Sequence, residues 1–355
     1  MASPGTALVI GASGVTGTPL VEQLIGSGWQ VIAVSRRAPV LRSGIQTTTL
    51  QHLAVDLADA QATRAAFARL GNVTHVFHCA NDPSPDVRLR MLSNVLTAIE
   101  PAARRLANVN LMQGTKYYGC HLGPFSVPAR ETDPRIPGAD FYYGEEDFVR
   151  VCQYGKRWTW TALRPHAVCG YAAGNPMNLA VVLAIYGSIC KAIGAAFAFP
   201  ATEACFAARF NVMDAELLAR AMIWCSTRSK CGNQAFNVNN GDVFAWRELW
   251  PRIAAFFELE CAGPNDQPPL GEFFAAHMQT WRTLTARHGL KAFPHERLGQ
   301  WVQGDYRFPN SRLACEYDVN ADLGKLRAHG FAEHVDSGQM FLRLFARLRE
   351  EQVIP

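Results

Sequence analysis

The stretch Ala7-Leu8-Val9-Ile10-Gly11-Ala12-Ser13-Gly14-Val15-Thr16-Gly17 sets the fold, because a short apolar run breaks directly into a glycine loop. Four apolar residues bounded by glycine read as a strand buried on both faces, as in a parallel sheet. The helical pattern at 18–25 completes a strand–loop–helix unit. In that setting Gly-x-x-Gly-x-x-Gly turns backbone amides and the helix N-terminus toward a pyrophosphate. Glycine is needed where the turn takes positive φ and where phosphate approaches the main chain. Gly11, Ser13, Gly14, Val15, Thr16 and Gly17 are therefore the expected dinucleotide-binding residues.

Working outward, apolar runs at 30–35, 50–55, 73–79, 109–113 and 160–164 alternate with helical patterns. This alternation predicts an α/β architecture, a Rossmann-type doubly wound parallel sheet. A proline-rich loop at 124–137 leads to the helix expected to carry Tyr142. Beyond Gly170 the alternation fades into a long apolar helix at 176–193, a strand and helix over 210–225, a short strand at 235–238 and a helix at 246–257. The expected division is a nucleotide domain at 1–170, with a return to it at about 205–245. A smaller, mainly helical substrate domain would take 171–204 and 246–355.

A chain of 355 residues, 49% hydrophobic and 18% charged, suits that organisation. Its net charge of +4 and the absence of any Lys/Arg run longer than two residues argue against nucleic acid as a partner. Ten cysteines are scattered with no C-x-x-C spacing, which predicts reduced thiols in a cytoplasmic protein and no metal. The apolar run from Leu179 ends at Lys191 after twelve residues, short for a membrane span and better suited to a buried helix. This helix, with Phe273, Phe274 and Trp301, is expected to form the wall and lid of an apolar substrate site.

Where an NAD-selective protein commonly places an acid after its second strand, this chain has Ser35-Arg36-Arg37. Two guanidiniums suit a 2′-phosphate, so NADPH is the expected cofactor. Asp56 and Leu57, after the third strand, are placed at the adenine. For Asp56, capping the helix that begins near Ala58 is the alternative.

Two downstream segments concern chemistry: Gly114-Thr115-Lys116-Tyr117-Tyr118-Gly119 and Phe141-Tyr142-Tyr143-Gly144-Glu145-Glu146-Asp147. Short-chain dehydrogenases usually carry Tyr-x-x-x-Lys on one helix face. Here Glu146 follows Tyr142 by four residues and Asp147 follows Tyr143, so lysine must come from another element. These segments, with Gly123-Pro124-Phe125, Arg164-Pro165, Met177-Asn178-Leu179, Ile189-Cys190-Lys191 and the run from Asn233 to Trp246, resemble the progesterone 5β-reductase and iridoid synthase family. That family is an atypical branch of the extended short-chain dehydrogenases, and this chain resembles a non-plant member.

The resemblance implies NADPH-dependent reduction of an activated C=C bond in a small apolar enone or enal, with Tyr142 and Lys116 as the catalytic pair. Hydride reaching the β-carbon sends charge to the carbonyl oxygen, and a phenol within hydrogen-bond reach stabilises the enolate. Lys116 would hold the cofactor ribose or lower the phenol's pKa. Arg164, Pro165, His166 and Val168 are expected to line the nicotinamide, with His166 structural rather than an acid. Tyr118 and Tyr143 are expected to be core or wall residues. The interval of 26 positions from Lys116 to Tyr142 is shorter than in plant members, and His78-Cys79-Ala80-Asn81-Asp82 replaces a more apolar stretch. Three alternatives stay open: a carbonyl reductase, a nucleotide-sugar epimerase or dehydratase, and a non-catalytic NADPH sensor, since one fold hosts many roles. A homodimer is compatible with all of them.

Overall fold

The computed structural model describes residues 4–172, 178–264, 268–291, 302 and 315–355. Six strands alternate with helices through the N-terminal half. They are β1 (Thr6–Ile10), β2 (Gln30–Val34), β3 (Leu50–Leu53), β4 (Val73–His78), β5 (Asn108–Met112) and β6 (Thr159–Pro165). The first four helices are α1 (Gly17–Gly26), α2 (Ala60–Phe67), α3 (Pro85–Ala102) and α4 (Tyr143–Gln153). After β7 (Val168–Cys169) come α5 (Leu179–Ile193), β8 (Phe197–Phe199), α6 (Glu203–Ala207), β9 (Arg209–Phe210), β10 (Met213–Asp214), α7 (Ala215–Ser226) and β11 (Gln234–Val238). The main sheet has seven strands in the order β11-β6-β5-β4-β1-β2-β3, and all its pairings are parallel. This is the doubly wound Rossmann sheet the alternation predicts.

Both faces of the sheet are covered, which is why its strands read as apolar runs rather than alternating ones. On one face Leu20, Val21 and Leu24 of α1 and Leu217, Leu218 and Met222 of α7 bury against Ala7, Val9, Val31 and Phe77. On the other, Phe67, Leu92, Val95, Ile99 and Val149 of α2, α3 and α4 cover Leu8, Ile10, Val76 and Val109. Ser84 caps α3 by accepting from the Val87 amide, and Pro85 occupies its first position, where a missing N–H costs nothing.

The later helices build a third core. Phe197 stacks on Trp250 at 4.2 Å, and both pack with α5, Trp246, Phe273, Phe341 and Phe345. Every residue from Leu179 to Cys190 is buried. Helix α5 is thus apolar all round up to Cys190 because that part is core, and only its last turn, Lys191 to Ile193, is exposed. It presents no face to the cavity described below, and neither do Phe273 and Phe274. The expectation that they form its wall is corrected accordingly. Trp301, Pro176 and Met177 lie outside the described residues. No helix among the described residues is long and apolar enough to cross a membrane.

Candidate active site

Strands β2 and β3 build outward on one side of β1, and β4 restarts on the other. Open α/β sheets hold ligands at such a reversal, beyond the carboxyl ends of the strands. A cavity of about 900 Å³ lies there, lined by residues that follow β1, β2, β3, β4, β5 and β6.

Its floor is the glycine loop. Gly11 has φ 81°, and a Cβ there would meet the Ala80 amide nitrogen at 2.7 Å. A Cβ at Gly17 would lie 2.2 Å from the Gly11 carbonyl oxygen, so Gly17 lets the helix close on the loop and does not itself line the cavity. Gly14 differs, because its Cβ would meet only the Gly11 oxygen, at 3.4 Å. No packing demands glycine at that position, and the space it leaves belongs to the cavity. Ser13, Val15 and Thr16 line the same floor. Thr16 caps α1 without a side-chain hydrogen bond, so its hydroxyl does not cover the first-turn amides. This chemistry fits an anionic diphosphate.

Arg36 and Arg37 line the wall after β2 and are exposed, with no ion-pair partner among the described residues. Ser35 has a different task. Its hydroxyl donates to the Arg37 carbonyl at 2.6 Å and sits 3.3 Å from His52 Nε2, which holds the turn. Asp56 and Leu57 line the cavity as well. Asp56 accepts from the Ala58 amide at 3.0 Å, while the cap of α2 is Asp59.

Lys116 and Tyr142 both line the cavity. Lys116 stands on a 3-10 turn, Thr115–Tyr118, with its Nζ 4.2 Å from the centre of the Phe141 ring. Tyr142 is the N-cap of α4 rather than a residue within the helix. Its hydroxyl oxygen would be 3.0 Å from a Cβ built on Gly114, a position also 3.2 Å from the Pro165 carbonyl oxygen. The phenol therefore reaches over Gly114 to the ends of β5 and β6. Burial raises its pKa, with Glu145 adding and the Arg88 charge opposing. At neutral pH Tyr142 is a protonated phenol able to donate. Cys79 also lines the cavity, but burial pushes its thiol up to about 12, which makes it a poor nucleophile.

Two residues expected at the nicotinamide face elsewhere. Pro165 and Val168 line the cavity, whereas Arg164 and His166 are buried away from it. His166 Nδ1 lies 2.5 Å from Thr115 Oγ1, and its ring packs edge-on against Phe210. Arg164 donates to Gln113, Tyr118 and Glu146 at 2.9, 3.0 and 2.8 Å. Burial works against charge on Glu146, but Arg164 and Arg150 outweigh it and hold the carboxyl below its ordinary range. Tyr118 donates onward to Asn237, and Tyr143 to the Tyr117 carbonyl, so both tyrosines are structural.

Residues that sequence reasoning passed over include Gly114, Val87, Met91, Met112, Gln113 and Phe141, all of which line the cavity. Arg88 of α3 was also missed. Its guanidinium carbon is 4.1 Å from the Tyr142 ring centre and 4.6 Å from that of Phe141, and it is ion-paired to Glu145.

Residues 7–355 match the family described as PRISE-like Rossmann-fold domain. The chain belongs to that family. It is 32% identical to a protein named short chain dehydrogenase gsfE from Penicillium aethiopicum, over 99% of this chain and 100% of that one. It is 28% identical to the (S)-8-oxocitronellyl enol synthase of Antirrhinum majus (98% and 92% covered) and 29% identical to the 3-oxo-Delta(4,5)-steroid 5-beta-reductase of Arabidopsis thaliana (98% and 93%). Among solved structures it is similar to the UDP-glucose 4-epimerase of Thermus thermophilus, in complex with NAD. The TM-score is 0.67 at 19% identity, with 97% and 99% of the chains covered. That likeness concerns the fold. Of these relatives, one is named a short chain dehydrogenase and one a reductase.

Proposed function

We propose that this protein reduces the activated C=C bond of a small apolar enone or enal with NADPH, using Tyr142 as the group that meets the carbonyl oxygen. The observation that carries this is the phenol's position. It is protonated, and it reaches over Gly114 to the strand ends at which such folds hold their ligands. Reduced nicotinamide supplies the hydride when bound.

The chain's own residues do the rest. The glycine loop and the α1 N-terminus receive the diphosphate, Arg36 and Arg37 the 2′-phosphate, and Asp56 and Leu57 flank the adenine. As hydride reaches the β-carbon, the electron pair moves to the carbonyl oxygen. Tyr142 donates its hydrogen bond to that oxygen and stabilises the enolate. Lys116, 4.2 Å from the Phe141 ring centre, adds positive charge on the same side. Proton return at the α-carbon gives the saturated product. Two of the relatives support the reaction class by name, the 3-oxo-Delta(4,5)-steroid 5-beta-reductase and the (S)-8-oxocitronellyl enol synthase. Residues 1–170 and about 205–245 would serve the cofactor, and the remainder would form the smaller substrate domain, with α5, Phe273 and Phe274 in its core rather than at the cavity.

The test is product analysis. With NADPH and an α,β-unsaturated aldehyde, the protein should yield the saturated aldehyde, and Tyr142→Phe should lose about 10²–10³ in kcat with little change in cofactor affinity. Allylic alcohol as the only product would replace this assignment with carbonyl reduction.

A further inference from the structure

The ion pair behind the tyrosine is not needed by the reaction as described. Arg88 is 1% exposed and Glu145 5%, so both charges lie within the protein. Arg88 Nη2 donates to Glu145, while its Nε and Nη1 have no hydrogen-bond partner among the described residues. Leaving buried guanidinium donors unsatisfied is costly, and an apolar pair of similar size would fill the space at less expense. Something else explains a cation there. The guanidinium lies against the rings of Phe141 and Tyr142, which line the cavity, and Glu145 projects from the helix that Tyr142 caps.

We propose that Arg88, held by Glu145, is a positioning residue that fixes the Tyr142 ring from behind and sets how readily its hydroxyl gives up a proton. This rests on the assignment of Tyr142 as the acting donor. A cation against the ring favours the phenolate, so it strengthens the phenol as a donor. Glu145 governs how much of that charge the phenol senses. When ionised it balances Arg88, and when protonated it leaves the guanidinium unopposed.

Charged and titratable groups facing this cluster come from β4 and from the turn after β5. His78 of β4 stays neutral, because burial and the Arg88 charge push it down to about 3. Lys116 lies over the Phe141 ring, His121 packs edge-on against the same ring with burial and the Lys116 charge lowering its pKa, and Cys120 adjoins Tyr142. Glu145 is the member that changes charge near neutrality. Burial pushes its carboxyl up to about 7 against the pull of Arg88.

The experiment uses the full chain and four proteins: wild type, Glu145→Gln, Tyr142→Phe and the paired variant Arg88→Met/Glu145→Leu. The paired variant replaces both charges with apolar groups of similar size, so that it folds. Wild-type kcat on an α,β-unsaturated aldehyde should fall several-fold as pH rises through about 7, the point at which Glu145 ionises. Glu145→Gln should hold the low-pH rate throughout that window. The paired variant should show no step and a kcat about ten-fold lower, since one donor is weakened rather than removed. A second readout needs no turnover. The phenol titration of Tyr142, taken as the ultraviolet difference from Tyr142→Phe, should move to higher pH in the paired variant. An unmoved titration together with a pH step that persists in Glu145→Gln would overturn the proposal. If Tyr142→Phe retains full turnover, the catalytic assignment of Tyr142 fails, and the phenol titration still decides what Arg88 does to it.

Discussion

Gly114→Ala tests the site geometry most directly. Gly114 has φ 174°, extended backbone that any residue adopts, so glycine is present there for space alone. An added Cβ would lie 3.0 Å from the Tyr142 hydroxyl oxygen, where ordinary contact begins at 3.4 Å. The Pro165 carbonyl, 3.2 Å away, belongs to strand β6 and is held by its pairing with Val238. The phenol must yield instead, by about 0.4 Å. A 1 Å misplacement of a reacting group costs about 10² in rate, so this shift should lower kcat about five- to ten-fold. Fold stability should change by less than about 1 kcal/mol, because less backbone freedom in the unfolded chain offsets the crowding. Steady-state kinetics and denaturant unfolding measure the two effects. A double-mutant cycle removes dependence on the substrate. In Tyr142→Phe the clashing oxygen is gone, and the cost of Gly114→Ala should shrink, giving a coupling of about 0.5–1 kcal/mol. A Gly114→Ala protein with wild-type kcat and no coupling to Tyr142 would refute the placement of the phenol.

Arg36→Asp or Arg37→Asp should weaken NADPH far more than NADH, and equal affinities of the unmodified protein for both cofactors, by fluorescence titration, would contradict the assignment. Gly17→Ala should cost about 1–3 kcal/mol, because its Cβ would meet main-chain atoms at 2.2 and 2.8 Å. Gly14→Ala should fold as stably as the parent yet bind dinucleotide more weakly, as calorimetric unfolding and binding will show. Glu145 makes a signed pH prediction. Its folded pKa, about 7, lies above the ordinary value of 4.5, so the stability it contributes is full below 4.5 and lost as pH rises through about 7. The wild-type unfolding midpoint should fall across that window relative to Glu145→Gln, and a rise would contradict the buried, strained carboxylate.

The sheet was legible because burial on both faces leaves continuous apolar runs, and glycine spacing marks the loop whatever surrounds it. Side-chain direction was less so. Arg164 and Pro165 are adjacent, yet successive strand residues point to opposite faces, which sends Arg164 with Ala162 toward α4 and leaves Pro165 at the cavity. The apolar run of α5 reads as a substrate-site wall because sequence shows its polarity but not its neighbours. Arg88 was invisible for a related reason. An arginine between Val87 and Leu89 early in a helix reads as a surface charge, and its partner lies 57 residues away. Gly114 signals a turn in sequence, and only the fold reveals that the space is for a tyrosine.

Two adjacent glutamates at the start of α4 show how far environment separates residues of one type. Glu146 meets Arg164 and Arg150, and these cations overcome its burial and keep it ionised. Its partners sit on β6 and one turn along its own helix, so that carboxylate ties α4 to the sheet and fixes the direction from which Tyr142 enters the site. Glu145, about 100° around the helix, meets one guanidinium that is shared with two aromatic rings, and burial prevails. Neighbouring groups whose pKa values are driven apart mark a division of labour. One holds the scaffold at every working pH, and the other can change charge beside the Tyr142 phenol. If Glu146 were the titrating member, α4 would loosen as it protonated and the tyrosine would lose its aim. Placing the labile proton on Glu145 lets the charge behind the phenol vary while its position stays fixed.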